Sequence, residues 1–176
     1  MNSNNGEREA IAEQVVSGWR ELTLPTSGAV VRVRRIAPAL LTDLRKDIRR
    51  RFPKPMAPMV EVSYGDEKRI EANPAHPEYA EMLREHSTES GMAFLESLVK
   101  FACECETDAV RVAELRGLAG DMELPADDHV LYVTRILLET KADIEVFQQV
   151  IMGLSQPTEK AVAEATERFP SDVPGR

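Results

Sequence analysis

Polar and apolar residues alternate in several stretches of the first third of the chain, as they do in strands that bury one face. Residues 20–24 and 29–36 alternate in this way and predict an antiparallel hairpin. A second hairpin is predicted from residues 59–64 and 68–71, which flank a Gly-Asp turn. Because a two-stranded hairpin is only marginally stable in water, we expect the first hairpin to pack on helices or to form one sheet with residues 59–64.

The stretch between the two hairpins predicts one helix followed by a crossing that cannot be helical. Pro38 suits the first turn of a helix, which is expected to end near Phe52. The apolar stripe of this helix consists of Leu40, Leu41, Leu44 and Ile48. Pro53, Pro55 and Pro58 then remove backbone donors and favour extended geometry, so the helix cannot continue through them.

Apolar residues at spacings of three and four predict the longest helix of the chain, from Pro77 to about Cys105. An Asn-Pro turn precedes it, and Glu78 favours its start because it lies near the positive end of the helix dipole. Such a helix would be about 40 Å long and comparable to the whole domain. Gly91 ends a polar run and lowers helix stability by about 1 kcal/mol relative to alanine, so we expect a kink or a break there.

The remainder of the chain predicts four shorter helices. Thr107 and Asp108 can cap the first, and Asp127 and Asp128 after Pro125 give the N-cap of the second. Their apolar positions are Val110, Val112, Ala113, Leu115 and Leu118 in the first, and Val130, Leu131, Thr134, Leu137 and Leu138 in the second. A turn at residues 141–143 precedes the third helix, which Gly153 is expected to end, and Thr158 caps the last.

These elements define an α+β fold, with small N-terminal antiparallel β hairpins followed by a mostly helical C-terminal half that contains one long central helix. Residues 11–169 are expected to form a single domain, which is β-rich with one basic helix over residues 11–75 and helical over residues 76–169. Residues 1–10 are polar and predict a disordered N-terminus, and residues 170–176 predict a loose tail.

Charge is distributed unevenly along the chain. The formal net charge is −8, yet residues 32–54 hold nine basic residues and two acidic ones, a net charge of +7. One interpretation is that this basic block and the acidic remainder satisfy each other electrostatically, within the fold or between subunits. The alternative is an acidic protein partner or a phosphate backbone. The overall acidity makes nucleic acid an unlikely main partner.

The residue types that usually carry catalysis or bind metals are scattered in this sequence. Its glycines stand near the ends of predicted elements and form neither a P-loop nor a Rossmann fingerprint. The histidines His76, His86 and His129 have no His or Cys partner at metal-ligand spacing. Cys103 and Cys105 would point to different sides of the predicted helix, so we interpret them as reduced structural thiols. We therefore expect no catalytic, cofactor-binding or metal-binding residues, no cofactor and no enzymatic activity.

Nothing in the sequence predicts insertion into a membrane. No apolar run approaches the roughly 18 residues that span a bilayer. The first residues include Glu and Asn, where a secretory signal would have basic and then apolar residues. We expect a cytosolic protein without a membrane partner.

Two segments combine prolines, turns and strand residues in a particular order. The first contains Pro53, Pro55, Pro58, Val60, Val62, Gly65, Asn73, Pro74, Pro77 and Tyr79. The second contains residues 127–132 and 153–158 followed by Val162 and Phe169. Both resemble the tail assembly chaperones and related tail-module proteins of long-tailed, siphovirus-type bacteriophages, and together they span roughly half of the chain.

The resemblance implies a non-catalytic tail assembly chaperone. Such a protein binds the tape-measure protein, keeps this long helical protein soluble in the host cytoplasm and helps to recruit tail-tube subunits, the major tail protein, during virion morphogenesis. A homo-oligomer is compatible with this role. The alternatives are a structural tail-completion or connector protein of the virion, and a small nucleic-acid-binding regulator that uses the basic helix face from Arg45 to Lys54.

Overall fold

The structure is a computed structural model that describes residues 18–65, 67–120 and 122–156. Its elements follow in the order β1 (Trp19–Thr23), β2 (Val30–Arg34), α1 (Pro38–Arg51), β3 (Met59–Tyr64), β4 (Glu67–Ala72), α2 (Pro77–Ala102), β5 (Cys103–Glu104), α3 (Ala109–Leu118), α4 (Asp128–Tyr132), a π-helical turn (Val133–Leu137) and α5 (Lys141–Ser155). The predicted α+β class, with N-terminal hairpins and a long central helix, is confirmed. The predicted disordered N-terminus, the last helix from Thr158 and the tail lie outside the described residues.

The first hairpin belongs to a three-stranded antiparallel sheet with the order β1-β2-β5. Val31 and Val33 of β2 are fully buried, and they pack in one core cluster with Leu98 and Val99 of α2. The expectation that this hairpin packs on helices is therefore confirmed. The third strand is β5, which pairs Cys103 with Val33, rather than the predicted segment 59–64.

Helix α2 contributes most of its buried residues from its C-terminal half, where Leu95, Leu98, Val99 and Ala102 line the core. On the other side of this core, α5 contributes Phe147 and Ile151, both fully buried. Ser155 then links α5 to the end of β2, because its hydroxyl accepts a hydrogen bond from the Ile36 N–H at 2.9 Å. The hairpin, α2 and α5 thus share a single apolar core.

Two expectations for α2 are wrong. The helix ends at Ala102 rather than near Cys105, because Cys103 has extended dihedral angles, φ −123° and ψ 143°, and pairs with β2. It also continues without a break through Gly91. The Ser90 hydroxyl there donates to the His86 carbonyl at 2.6 Å, so the polar run satisfies its hydrogen bonds within the helix.

The capping predictions for the shorter helices hold, whereas several of their boundaries and apolar positions do not. Asp108 and Asp127 each accept hydrogen bonds from two backbone N–H groups at the start of α3 and α4. In α3, however, Val110 and Leu118 are 68% and 85% exposed, because this short helix buries only a narrow stripe around Val112. Helix α5 begins earlier than predicted, at Lys141, and continues past Gly153 to Ser155.

A buried carboxylate explains the early start of α5. Asp143 is fully buried, and its side chain accepts hydrogen bonds from the Thr26 N–H at 2.8 Å and the Thr140 hydroxyl at 2.8 Å. The Thr140 hydroxyl in turn accepts from the Asp143 N–H, which completes a capping box. Asp143 therefore fixes the start of α5 to the turn between β1 and β2.

Burial and hydrogen bonding have opposite effects on the pKa of the Asp143 carboxyl group. Burial by itself would raise the pKa of Asp143, but the hydrogen bonds donated by Thr26 and Thr140 outweigh it and lower the pKa below its usual range. A carboxylate with a lowered pKa in the folded state contributes stability above the unfolded-state pKa, and this contribution is lost as the pH falls through the folded-state pKa.

We expect Asp143→Asn to lower the midpoint of thermal unfolding by roughly 5–10 °C near pH 7, because the charged acceptor is lost. The difference from wild type should begin to shrink below the unfolded-state pKa of about 3.9 and should disappear as the pH falls through the lower folded-state pKa. Thermal unfolding followed by circular dichroism from about pH 7 to about pH 3 measures this. Asp43→Asn, at an exposed ion pair, is the control and should change little. A pH-independent difference for Asp143→Asn would contradict the assignment.

Candidate functional site

A cleft with a volume of about 320 Å³ lies between the C-terminal half of α1 and the middle of α2. Its lining includes Arg45, Arg49 and Phe52 from the first helix and its end, and Ser90 and Phe94 from the second. Apolar side chains thus form much of the wall, and a few polar groups converge on the opening. This combination is typical of sites that bind a ligand or a peptide.

One hydrogen bond holds the two sides of the cleft together. The His86 Nε2 atom lies 3.0 Å from the carbonyl oxygen of Phe52, the residue that ends α1. A carbonyl can only accept, so Nε2 carries the proton and donates it. Since Pro53 prevents α1 from continuing, this contact fixes the position at which the chain leaves the helix. His86, which the sequence presented as an isolated histidine, therefore has a structural role in the cleft.

Several cations of α1 are neutralised within the helix itself. Asp43 pairs with Lys46 at 3.6 Å, and Asp47 pairs with Arg50 at 2.6 Å and with Arg51 at 2.9 Å. The two acidic residues of the basic block, residues 32–54, thus form ion pairs with three of its basic residues. Exposed pairs of this kind add little stability, but they reduce the charge that this side of the helix presents.

The arginines of the cleft are different. Arg45 and Arg49 are one helical turn apart, and neither has an acidic partner within the described ranges. The guanidinium of Arg45 lies 5.8 Å from the centre of the Phe94 ring instead, a cation–π contact. The cleft therefore presents two positive charges that the rest of the described chain does not neutralise, next to an aromatic wall.

An adjoining hollow of about 270 Å³ extends the cleft along α2 and shares Phe52 and His86 with it. Its lining includes the apolar Met82 and the acidic Glu85 and Glu89. The two spaces form one groove, which has Arg45 and Arg49 at one end and Glu85 and Glu89, together with Arg51, at the other. A bound helix with acidic residues at one end and basic residues at the other would therefore bind in one orientation.

Gly91 leaves the cleft open on the side of α2. A Cβ atom built at this position would meet no atom within 4 Å, so the packing of the fold does not require a glycine here. Glycine is nevertheless unfavourable inside a helix by about 1 kcal/mol relative to alanine. Gly91 thus lowers the stability of the helix, and because it has no side chain it leaves space in the cleft.

The second hairpin projects from the fold as an isolated two-stranded sheet. The predicted pairing of residues 59–64 with residues 68–71 is confirmed, with Met59 opposite Ala72 and Tyr64 opposite Glu67, and within the described residues this hairpin pairs with no other strand. Large apolar side chains on it are exposed to solvent: Met59 by 62%, Ile70 by 71% and Tyr64 by 56%. Met59 and Ile70 lie on one face of the hairpin and Tyr64 on the other. Neighbouring exposed apolar residues such as Met59 and Ile70 mark surfaces that contact other molecules.

A different group of side chains meets at the end of α2, around β5. The Sγ atom of Cys105 lies 3.9 Å from Nδ1 of His129, and the hydroxyl of Thr107 lies 3.3 Å from the same nitrogen. The other ring nitrogen, Nε2, lies 3.2 Å from the carbonyl oxygen of Cys103 and must donate to it. A neutral His129 therefore has an unprotonated Nδ1 directed at the thiol and at the threonine hydroxyl.

The two thiols affect each other's ionisation. A hydrogen bond donated by the Cys103 thiol, followed by the contact with His129, lowers the pKa of Cys105, whereas the same bond and burial raise the pKa of Cys103. The pKa of His129 is raised, chiefly by its hydrogen bond with Cys105. These shifts favour a Cys105 thiolate beside an imidazolium.

The prediction that Cys103 and Cys105 lie on a helix is wrong, because Cys103 has extended dihedral angles and pairs with β2. His129 contacts the Cys105 sulfur and the Cys103 carbonyl oxygen, which its own segment of the sequence could not indicate. Only the two-residue spacing of the cysteines was visible in the sequence. Within the described ranges, no group of three His, Cys, Asp or Glu residues is arranged as a metal site.

The expectation that the basic block and the acidic remainder of the chain satisfy each other electrostatically is met only in part. Arg32 of the basic block pairs with Glu104 of the acidic remainder at 3.3 Å. Arg32 and Arg34 also lie over the ring of Trp19, at 5.7 Å and 4.8 Å from its centre. Arg45 and Arg49 have no such partner in the described part of the chain, so the possibility of an acidic partner stays open.

In comparisons with known proteins, no family model, no curated protein and no solved structure matches this chain. Among the described residues, no helix combines the length and hydropathy that crossing a bilayer requires.

Proposed function

We propose that the protein is a tail assembly chaperone of the long-tailed bacteriophage type. In this role it is non-catalytic, acts in the host cytoplasm, binds the tape-measure protein and helps to bring the major tail protein to it. Two lines of support meet here: the sequence resemblance in residues 53–79 and 127–169, and the groove between α1 and α2.

The observation that carries the proposal is the pair of arginines without acidic partners beside an apolar wall. Amphipathic helices bind in grooves by inserting apolar residues that are three and four positions apart. A helix with acidic residues beside its apolar stripe would place them near Arg45 and Arg49. Basic residues further along it would lie near Glu85 and Glu89. A long helical protein such as a tape measure offers many segments of this kind.

The projecting hairpin supplies a second contact in this proposal. It follows Pro55, which lines the groove, so a partner that leaves the groove in this direction would meet the hairpin. Met59 and Ile70 would then be covered by apolar residues of the partner. The charges of the groove would orient the bound partner, and the hairpin would add apolar area to the interface.

Two other functions remain as alternatives. A structural tail-completion or connector protein could use the same surfaces, and its detection in purified virions would favour that role. A nucleic-acid-binding regulator would use the cations of α1, but Lys46, Arg50 and Arg51 already pair with acidic residues of the same helix. We place the regulator last, and a steep loss of affinity for DNA or RNA with added salt would support it.

Co-expression tests the proposed function. The protein is produced together with the tape-measure product encoded just downstream of it, and the soluble fraction of the latter is compared with that obtained when it is made alone. We expect a marked gain in soluble tape-measure protein and its recovery in a complex. The assignment is wrong if its solubility does not improve.

A further inference from the structure

The arrangement around β5 differs from that of a core cysteine. Cys105 is only partly buried, and its sulfur faces Nδ1 of His129 at 3.9 Å. The ring is held by its other nitrogen, which donates to the Cys103 carbonyl at 3.2 Å. A nucleophile, a base beside it and a third group that orients the base are the parts that activate a thiol.

A second thiol, that of Cys103, is close to Cys105 in the chain. Cys103 is buried in β5 and lies two residues before Cys105, in the extended segment that follows α2. Its backbone is held by pairing with Val33. A partly accessible nucleophilic thiol with a second thiol close to it in the chain is the usual combination in redox-sensitive sites.

We propose that Cys105 is a peroxide-reactive thiolate and that Cys103 resolves its oxidised form as an intramolecular disulfide. This site is separate from the groove, since it follows the C-terminus of α2 whereas the groove lies along the earlier turns of that helix. The inference therefore does not depend on the proposed chaperone function.

The chemistry balances with hydrogen peroxide as the oxidant. The Cys105 sulfur attacks one peroxide oxygen, an S–O bond forms, the O–O bond breaks, and the leaving hydroxide takes a proton to become water. The Cys103 sulfur then attacks the sulfenic sulfur, so the S–S bond forms and the S–O bond breaks. The second hydroxide leaves as water with the proton of the Cys103 thiol. Two thiols are oxidised to a disulfide and one peroxide is reduced to two waters.

The reduced protein is tested by the rate of alkylation with iodoacetamide. At about pH 6 an ordinary thiol is almost entirely protonated, so we expect Cys105 to react at least about tenfold faster than glutathione. His129→Gln keeps a donor for the Cys103 carbonyl but removes Nδ1, and should slow the reaction about tenfold. His76→Gln is the matched control. A wild-type rate equal to that of glutathione, or no effect of His129→Gln, would overturn the proposal.

The oxidised protein is tested by intact mass after treatment with hydrogen peroxide. Wild type should lose two hydrogens and recover them on reduction with dithiothreitol. Cys103→Ser should instead gain one oxygen at Cys105 and react with dimedone, the probe for sulfenic acid. Cys105→Ser should stay unmodified. Accumulation of oxygen on wild type, or disulfides between two copies, would show that Cys103 is not the resolving thiol.

Discussion

Reversing the charge of both Arg45 and Arg49 is expected to weaken binding of the tape-measure protein about 100-fold. These arginines have no acidic partner in the described chain, so the substitutions break no ion pair of the fold. The double variant Arg45→Glu/Arg49→Glu replaces attraction with repulsion at the basic end of the groove. The dissociation constant can be measured by isothermal titration calorimetry with helical fragments of the tape-measure protein.

The matched control changes the same number of charges on another side of the same helix. Lys46→Glu/Arg50→Glu alters the net charge equally, but these side chains do not line the groove. We expect at most a few-fold loss of affinity from it. If both double variants lose affinity equally, long-range charge rather than the groove governs binding. Retention of full affinity by Arg45→Glu/Arg49→Glu would exclude the groove as the site.

Gly91→Leu is the second substitution with a large expected effect, and it separates binding from folding. The leucine would extend into the cleft, because nothing lies within 4 Å of its Cβ position. Leucine also favours helix over glycine by up to about 1 kcal/mol, so the free energy of unfolding should be unchanged or higher. Affinity for the tape-measure fragments should fall at least about tenfold, because the side chain occupies the volume that the partner needs.

Gly117→Leu provides the control for this experiment. Gly117 is likewise inside a helix, α3, and a Cβ atom there also meets nothing within 4 Å. It lies away from the groove, so the same gain in helix stability should leave affinity unchanged. Urea unfolding and titration calorimetry on both variants give the two readouts. Equal affinity of Gly91→Leu and wild type would mean that the cleft is not occupied in the complex.

Local signals were strong enough to predict most of the elements. Pro38, Pro53 and Pro77 restrict the backbone directly, and α1 and α2 begin or end at or beside them. The carboxylates of Asp108 and Asp127 satisfy free N–H groups at helix starts, so they also marked boundaries correctly. Such interactions extend over three or four residues and can be read from the chain itself.

Features that depend on distant residues could not be predicted. Strand β5 has only two residues, too few to show alternation, and it exists because β2 offers a free edge at the end of α2. The chain around it brings the Cys105 sulfur and the Cys103 carbonyl to His129. The groove likewise depends on the packing of α1 against α2, which no spacing in the sequence specified.

Hydrogen exchange of the protein with and without the tape-measure protein, its proposed partner, tests the central claim most directly. If the partner occupies the groove, amides in residues 45–52 and 82–94 should exchange more slowly in the complex, while those of α3 should not change. Unchanged exchange along the groove, together with protection elsewhere in the chain, would contradict the account.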